Sequence, residues 1–306
     1  MSRHLRFIPE GGALVEVTCR TIQGRLLLRP SPQLNDIFLG VLGRAQRRYP
    51  LEIAAYCCLS SHYHLLLRVD HAAQLSAFMT WFNGNLAKEV ARLTGWTDKV
   101  WSRRYQAIVV SDEEEAQADR LIYILGNCVK EGLVASPLKW PGAHCARALI
   151  TGEQVEGTWF NRSLEYNASL RREVHEERKY ASVEVVHLSP LPCWKHLSDE
   201  LYRKRMAELV RQIEETAVAQ RQEAGAPVLG ADGVTEQDPE TRPQQLKKSP
   251  APLFHAFRKS ARKALYEAYA WFVAAYREAA AKLRSGDRSV PFPAGSFPPP
   301  LPFVAA

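Results

Sequence analysis

Residues 51–69, LEIAAYCCLSSHYHLLLRV, contain a His-x-His pair within a segment of apolar, aromatic and β-branched residues. Such a composition predicts a mostly buried strand, or two strands with a break between them. Because side chains alternate along a strand, His62 and His64 share one face, about 6.6 Å apart, while Tyr63 lies on the other. Two imidazoles at this spacing can bind one divalent ion, with metal–nitrogen distances of about 2.0–2.1 Å in the case of zinc. The alternative is a pair of histidines on a half-buried strand without a metal, which is the commoner situation for an isolated His-x-His pair.

The composition is that of a globular protein. The chain has 306 residues, of which 46% are hydrophobic and 24% charged, enough for one sizeable core plus an appendage. Its net charge of +7 suits a polyanionic partner. The six cysteines are scattered without a Cys-x-x-Cys pair, which indicates reduced thiols. With no apolar signal-peptide core and no run of about 18 apolar residues, we expect a cytoplasmic protein without a membrane span.

The order of the predicted elements indicates the fold class. Alternating residues predict strands, and apolar residues at helical spacing predict helices between them. The elements are a strand at about 13–20, a helix at 33–48, the histidine strand, a helix at about 73–93, a strand near 104–110 and a helix that begins at Asp112. This order fits an α+β sandwich with hairpin-like pairing better than a parallel doubly wound sheet.

Three motifs follow one another along the chain: the His-x-His pair, WSRRY at 101–105, and YILGNCVKEGLV at 123–134. Together they resemble the IS200-like single-tyrosine (Y1) transposases of the HUH endonuclease class, especially the branch associated with repetitive extragenic palindromes. In that family the third motif has the form YIxxNPVKAGLV, so the chain departs from it at Cys128, where the family usually has proline. The resemblance covers roughly residues 5–145.

The resemblance implies a ferredoxin-like antiparallel sheet that carries helices, and a catalytic domain at 1–145. It implies that His62 and His64 bind a divalent metal, Mg²⁺ or Mn²⁺, and that Tyr123 is the nucleophile. It also supports a polar metal ligand at Asn127. The implied substrate is single-stranded or hairpin DNA, which would be left with a 5′-phosphotyrosine and a free 3′-hydroxyl. Relatives include dimers that share active sites in trans, so a homodimer is an open expectation.

The residues themselves agree with this chemistry. A tyrosine has a pKa of about 10 and is a poor nucleophile at neutral pH, whereas a divalent ion can polarise the phosphate that it attacks. Asn127 lies one helical turn after Tyr123 and could supply an oxygen as a third ligand. The alternative for Tyr123 is a core tyrosine of an amphipathic helix. Tyr49, Tyr56 and Tyr105 are poorer nucleophile candidates because none shares the spacing to Asn127.

Basic residues near these motifs are candidates for DNA contact. Arg103 and Arg104 lie beside Trp101 and Tyr105, a combination that suits phosphate contact plus base stacking, although a short charge run is usually a solvated surface. Lys130, within the third motif, is a further DNA-binding candidate.

The second half of the chain is predicted as an appendage in four parts. A mixed and helical extension occupies 146–223, with a helix at about 198–223. Residues 224–251 are rich in glycine, proline and charge and predict a flexible linker. A basic amphipathic helix at 252–288 and a proline-rich tail at 289–306 follow.

The basic helix has eight lysines and arginines against three acids, a net charge of +5. Its apolar face could dock on the catalytic domain or a second subunit, or the helix could grip DNA beside the nicking site. We expect a mixture, in which the apolar face docks and the basic residues face phosphate. These residues are Arg258, Lys259, Arg262 and Lys263.

The leading interpretation is a metal-dependent strand transferase that nicks and rejoins single-stranded hairpin DNA through a 5′-phosphotyrosine. One alternative is a nickase of the replication-initiator type, disfavoured because no helicase and no second catalytic tyrosine accompany the motif. An alternative from another class is a domesticated protein that binds hairpin DNA without cutting it.

Overall fold

A computed structural model describes residues 5–171, 176–225, 227–243 and 252–300. Within these ranges the strands are β1 (Ala13–Arg20), β2 (Glu52–Leu59), β3 (His62–Val69), β4 (Gln106–Val110), β5 (Val155–Phe160), β6 (Ala181–Val186) and β7 (Phe254–His255). The α-helices are α1 (Pro32–Arg48), α2 (Ala72–Thr94), α3 (Glu114–Leu125), α4 (Asn127–Lys130), α5 (Ala146–Thr151), α6 (Arg162–Leu170), α7 (Asp199–Ala224), α8 (Gly230–Thr235) and α9 (Lys259–Arg284).

The central sheet has the strand order β2-β3-β1-β4-β7. Its first four strands pair antiparallel, and together with α1 and α2 they follow the chain order of a ferredoxin-like fold. This confirms the predicted α+β class. The fifth strand, β7, pairs parallel with β4 and makes the sheet mixed. Sequence patterning could not reveal it, because two residues at the start of an amphipathic segment carry no period of their own.

The alternation within β3 separates the core from the site. The Tyr63 ring packs against Phe38 of α1 and Phe82 of α2, with ring centroids 6.0 and 5.4 Å away. On the opposite face, the His64 ring lies 5.5 Å from the ring of Tyr123 on α3. The predicted break within 51–69 is a tight turn between β2 and β3. The two histidines therefore share one face of the sheet, as strand geometry predicts.

The helix that carries the third motif is not continuous. It begins at Glu114 rather than at Asp112, and it breaks at Gly126 into α3 and α4. The N-cap residue, Glu113, uses its carboxylate for the chain that precedes α9 instead of for its own helix. A Cβ at Gly126 would lie 3.0 Å from the carbonyl of Ile122 and 3.3 Å from the Ile213 side chain on α7. The glycine thus permits close contact between the segment that carries Tyr123 and α7.

The extension at 146–223 shares a continuous core with residues 1–145. The antiparallel pair of strands β5 and β6 lies directly against α1, where a Cβ at Gly40 would come within 2.1 Å of the Thr158 backbone. Gly43 faces the backbone of Val185 in the same way. On the other side of the molecule, Met206 of α7 is fully buried. The extension therefore covers surfaces that the ferredoxin-like part leaves open.

Part of the predicted linker is built into the fold. Within 227–243, α8 forms, Val234 is buried, and the backbone nitrogen of Leu229 donates to the carbonyl of Gly132. Residues 226 and 244–251 lie outside the described residues, so flexibility of 224–251 stays a prediction.

The predicted helix at 252–288 begins later, at Lys259, because Phe254 and His255 pair with β4 first. Its apolar face docks on the sheet edge through an aromatic cluster. The Phe7 ring lies 6.2 Å from Phe254 and 5.3 Å from Phe272. Residues 301–306 of the proline-rich tail lie outside the described residues. Within the described part of the chain, none of the helices combines the length and apolar character that a membrane span requires.

Candidate active site

The buried histidine of the motif is held from both sides of its ring. The Nδ1 atom of His64 lies 3.0 Å from Glu16 Oε1 and 2.9 Å from Thr18 Oγ1, two residues of β1. Because the Glu16 carboxylate only accepts hydrogen bonds, Nδ1 of His64 donates and carries the proton. The Nε2 atom accepts from Asn127 Nδ2 at 2.9 Å. The lone pair that a metal would use therefore points toward Asn127 at the start of α4.

His62 completes the pair at the outer end of β3. Its ring centroid lies 5.1 Å from that of His64, and its Nδ1 lies 3.1 Å from Ser61 Oγ. Burial, followed by the charges of His64 and Arg20, lowers the pKa of His62 well below its ordinary value. The neutral imidazole that results is the form that binds metals.

Tyr123 lies on α3 above the histidines. The Arg120 guanidinium stands 4.4 Å and the Lys130 ammonium 5.1 Å from its ring centroid. Burial and the negative charge of Glu16 raise the pKa of Tyr123, although Arg120 and Asn127 act against them. The hydroxyl is thus protonated at neutral pH, and two cations lie where charge on the ring would develop.

The residues of this cluster fit a divalent ion. The donor set is two imidazole nitrogens and, after a 180° turn of its amide, the oxygen of Asn127. Glu16 fixes the proton of His64 on the nitrogen that faces away from Asn127, the usual role of a carboxylate behind a metal-binding histidine. In the part of the chain that the structure describes, no group of three or more His, Cys, Asp or Glu residues could hold a metal, so a metal here would need the Asn127 amide as well as the two histidines.

Three residues of the site escaped the sequence analysis: Glu16, Thr18 and Arg120. Glu16 is only 2% exposed, and its second oxygen accepts from Arg120 at 2.8 Å. Burial alone raises the pKa of the Glu16 carboxyl, but hydrogen bonds and charges from His64 and Arg120 outweigh it and lower the pKa overall. The sequence signal for Glu16 was available, because a lone acid alternates with apolar residues in ALVEVTCR and falls on the histidine face.

The predicted DNA contacts lie at two edges of this site. Arg103 and Arg104 are exposed on a loop whose Ser102 nitrogen donates to the Arg20 carbonyl at 3.0 Å. Arg20 is opposite His62 in the β1–β3 register, so the arginine loop borders the outer end of the candidate metal site. Lys130 borders Tyr123 from the other end.

The basic start of α9 approaches the same face. The pKa of His255 is lowered by burial and next by the charge of Arg120, with smaller effects from Asp119, Glu16 and Arg262. The side chain of Lys259 is exposed, and that of Lys263 lies 3.7 Å from Glu267 on the same helix. His255, which precedes α9, has its Nε2 3.8 Å from Asp119 Oδ2 on α3, so the start of α9 lies near the helix that carries Tyr123.

Arg258 has a partner within the fold. Its Nε donates to Glu113 Oε1 at 2.6 Å, while the backbone nitrogens of Phe257 and Arg258 donate to the same carboxylate. Burial raises the pKa of the Glu113 carboxyl, but the hydrogen bonds from Arg258, Ser111 and Phe257 lower it to about 2. Arg258, although 71% exposed, thus anchors the start of α9, and a phosphate contact by it stays a prediction.

Comparisons with known proteins agree with the motifs. A sequence profile described as "Transposase IS200 like" matches residues 31–124. A protein of Haemophilus influenzae that bears the name REP-associated tyrosine transposase is 31% identical over 151 residues, which cover 46% of this chain and 84% of that protein.

Two solved structures are also similar. One is a REP-associated tyrosine transposase bound to a REP hairpin, with a TM-score of 0.39 and 20% identity, covering 50% of this chain and 87% of that chain. The other is a transposase from Deinococcus radiodurans, with a TM-score of 0.28 and 18% identity, covering 40% of this chain and 95% of that chain.

Proposed function

The chain belongs to the IS200-like transposase family, with distant homology to REP-associated tyrosine transposases, and from this premise we propose that it nicks and rejoins single-stranded DNA hairpins through a covalent bond to Tyr123. One observation carries the proposal. The Tyr123 ring lies 5.5 Å from His64, whose Nε2 faces Asn127, so the nucleophile and the candidate metal ligands form one cluster.

In the proposed reaction, the Tyr123 oxygen attacks the scissile phosphorus, and the bond from phosphorus to the 3′-oxygen breaks. The tyrosine proton passes to solvent, and the departing 3′-oxygen takes a proton from solvent. Arg120, over the ring, stabilises the phenolate as it forms. A divalent ion held by His62, His64 and Asn127 would neutralise charge that develops on the phosphate. Reversal by a new 3′-hydroxyl restores a phosphodiester and frees the tyrosine without ATP.

The hairpin substrate is proposed from the name of the Haemophilus relative, because a single strand that carries a palindrome folds back on itself. The net charge of +7 and the basic edges of the site suit a phosphate backbone. Dependence on Mg²⁺ or Mn²⁺, a cytoplasmic location and a homodimer stay predictions.

Tyr123→Phe tests the proposal because it removes one oxygen and keeps the ring packed between Arg120 and His64. We expect binding of single-stranded hairpin DNA to remain near the unmodified level while nicking and the covalent adduct disappear. Tyr105→Phe is the matched control. Tyr105 is buried and its pKa is raised to about 12, chiefly by burial, so its removal should leave the adduct intact.

Mass spectrometry of the adducted peptide locates the bond directly. The short piece of DNA that stays attached through its phosphate should map to the peptide that contains residues 121–130. A map to another peptide would refute the assignment of Tyr123 even if nicking occurs. Hairpin binding without an adduct, in the unmodified protein and in both variants, would instead favour the domesticated DNA-binding protein.

A further inference from the structure

We propose that α7, from the second half of the chain, forms with Tyr123 a pocket for one nucleobase next to the scissile phosphate, and that Gln212 and Gln220 recognise the edge of that base. This inference rests on the proposed function, since Tyr123 must contact the scissile phosphate for the adjacent pocket to receive a base. It assigns a role to residues that lie far beyond the matched family profile at 31–124.

The pocket is a cavity of about 220 Å³ between the nucleophile helix and α7. Tyr123 and Lys130 line one side, and Gln212, Thr216 and Gln220 line the other. The spacing of four residues places the three polar side chains of α7 in one row along the helix. A group bound there lies directly against the ring of the proposed nucleophile.

The position of α7 is fixed by packing. Ile213 and Ala217 are 7% and 8% exposed, and Ile213 contacts the backbone at Gly126. Gly126 lies between Tyr123 and Asn127, so α7 packs on the break that orients both residues. Because of this packing, the polar row faces the cavity in a defined register.

The chemistry of the row suits a base rather than a phosphate. Each glutamine amide offers a donor and an acceptor, the combination that pairs with adenine in a bidentate manner. The Thr216 hydroxyl donates to the backbone carbonyl of Gln212 at 2.8 Å, so the Thr216 oxygen remains available as an acceptor. Apolar side chains of Ile122 and Val129 also line the cavity and suit the face of a base. Phosphate contact would call for lysine or arginine, and Lys130 provides it at the border of the pocket.

The neighbouring positions of α7 make the neutral row distinctive. The segment RQIEETAVAQRQE at 211–223 contains three acids, Glu214, Glu215 and Glu223, and two arginines, Arg211 and Arg221. None of those charges lines the cavity, where only neutral residues of α7 are found. Gln222 on the same segment is exposed and does not line the cavity, so it offers a control of the same residue type.

The experiment uses the full chain and a pool of single-stranded DNA hairpins with random-sequence flanks. Covalent adducts are isolated, and the attached DNA is sequenced to give a base profile at each position around the cut. We expect the unmodified protein to prefer one base at one position next to the cut. In Gln212→Ala and Gln220→Ala that preference should weaken about tenfold, in line with the loss of a bidentate contact, while preferences elsewhere persist. Gln222→Ala should keep the full profile.

The outcomes separate this inference from the proposed function. Adducts with an unchanged base profile in both pocket variants would overturn the pocket and leave the proposed function standing. A uniform fall in adduct yield without a change of profile would also overturn it, because α7 would then only support the fold. No adduct from the unmodified protein on any hairpin would overturn the proposed function and this inference with it.

Discussion

Replacement of Glu16 by glutamine tests whether this residue supports metal binding by His64 in addition to stabilising the fold. The Glu16 carboxylate accepts from His64 Nδ1 at 3.0 Å and from Arg120 at 2.8 Å. A glutamine side chain has one acceptor oxygen and one donor nitrogen. If its oxygen faces Arg120, its nitrogen faces Nδ1, which must then lose its proton to Nε2. The lone pair that faces Asn127 would be lost, and with it the metal-binding form of His64.

The expected losses of stability and of metal affinity follow from these contacts. Hydrogen bonds to charged groups contribute about 1.5–3 kcal/mol each, and the variant retains one neutral acceptor for two former partners. An amide is easier to bury than a carboxylate, which offsets part of the loss, and Arg120 is 17% exposed and can hydrate. We therefore expect the free energy of unfolding to fall by about 2 kcal/mol. Loss of a residue behind a metal ligand typically lowers metal affinity or activity by about 10–100-fold.

The assay measures single-turnover adduct formation on hairpin DNA as a function of Mn²⁺ concentration, beside urea unfolding without metal. Glu184→Gln is the matched control, because Glu184 is also buried, at 3% exposure, and pairs with Arg44 and Arg47 at 3.1 and 3.0 Å. It lies on β6, in the strand pair that packs against α1, across the sheet from the histidines. Both variants should lose stability, and only Glu16→Gln should shift the Mn²⁺ dependence. An equal Mn²⁺ dependence in the two variants would refute the role of Glu16 behind His64.

Three further predictions address the ligands, the basic helix and its anchor. His62→Ala and His64→Ala should each abolish the adduct while circular dichroism stays near that of the unmodified chain; cleavage at the original rate in the double variant with a chelator present would contradict this. Lys259→Ala should lower the slope of log K against log salt concentration for hairpin binding by about one. Lys282→Ala should leave that slope unchanged, because the Lys282 side chain already pairs with Glu278 in the same helix. Glu113→Gln should lower the urea midpoint at pH 7. Because the pKa of Glu113 in the folded chain, about 2, lies below its ordinary 4.5, the difference in midpoint from the unmodified chain should shrink as the pH falls from about 4.5 to about 2. A difference that stays constant over this range would contradict a stabilising role for the charge of Glu113.

The ferredoxin-like part could be predicted because local patterns dominate there. The predicted bounds of β1, α1 and α2 agree with the structure to within one residue. The histidine face followed from the two-residue period of a strand alone, and Gly132, with φ of 70°, ends its helical segment in the left-handed region as expected for a glycine.

The contacts among the supporting residues of the site could not be predicted, because they depend on long-range pairing. Glu16 meets His64 only after β1 pairs with β3, and Arg120 joins them only when α3 crosses that face. The anchor of α9 is similar, since Glu113 and Arg258 lie far apart in sequence and no local period connects them. Spacing along the chain locates the proposed nucleophile and the candidate ligands, whereas strand register determines which residues contact them.

The second half of the chain reaches the active site from two directions. Ile213 of α7 packs on Gly126, near Tyr123. Glu113, at the start of α3, holds the chain that leads into α9. Removal of the residues after 145 would also expose the backbone at Gly40, which has no side chain to cover it and is shielded by β5 and β6 in the full chain. The resemblance to the family ends near residue 145. We infer that no folding boundary lies at that point. In the proposed function, the part of the chain that resembles the family would supply the chemistry, while α7 and α9 would add the proposed base pocket and a basic surface beside it.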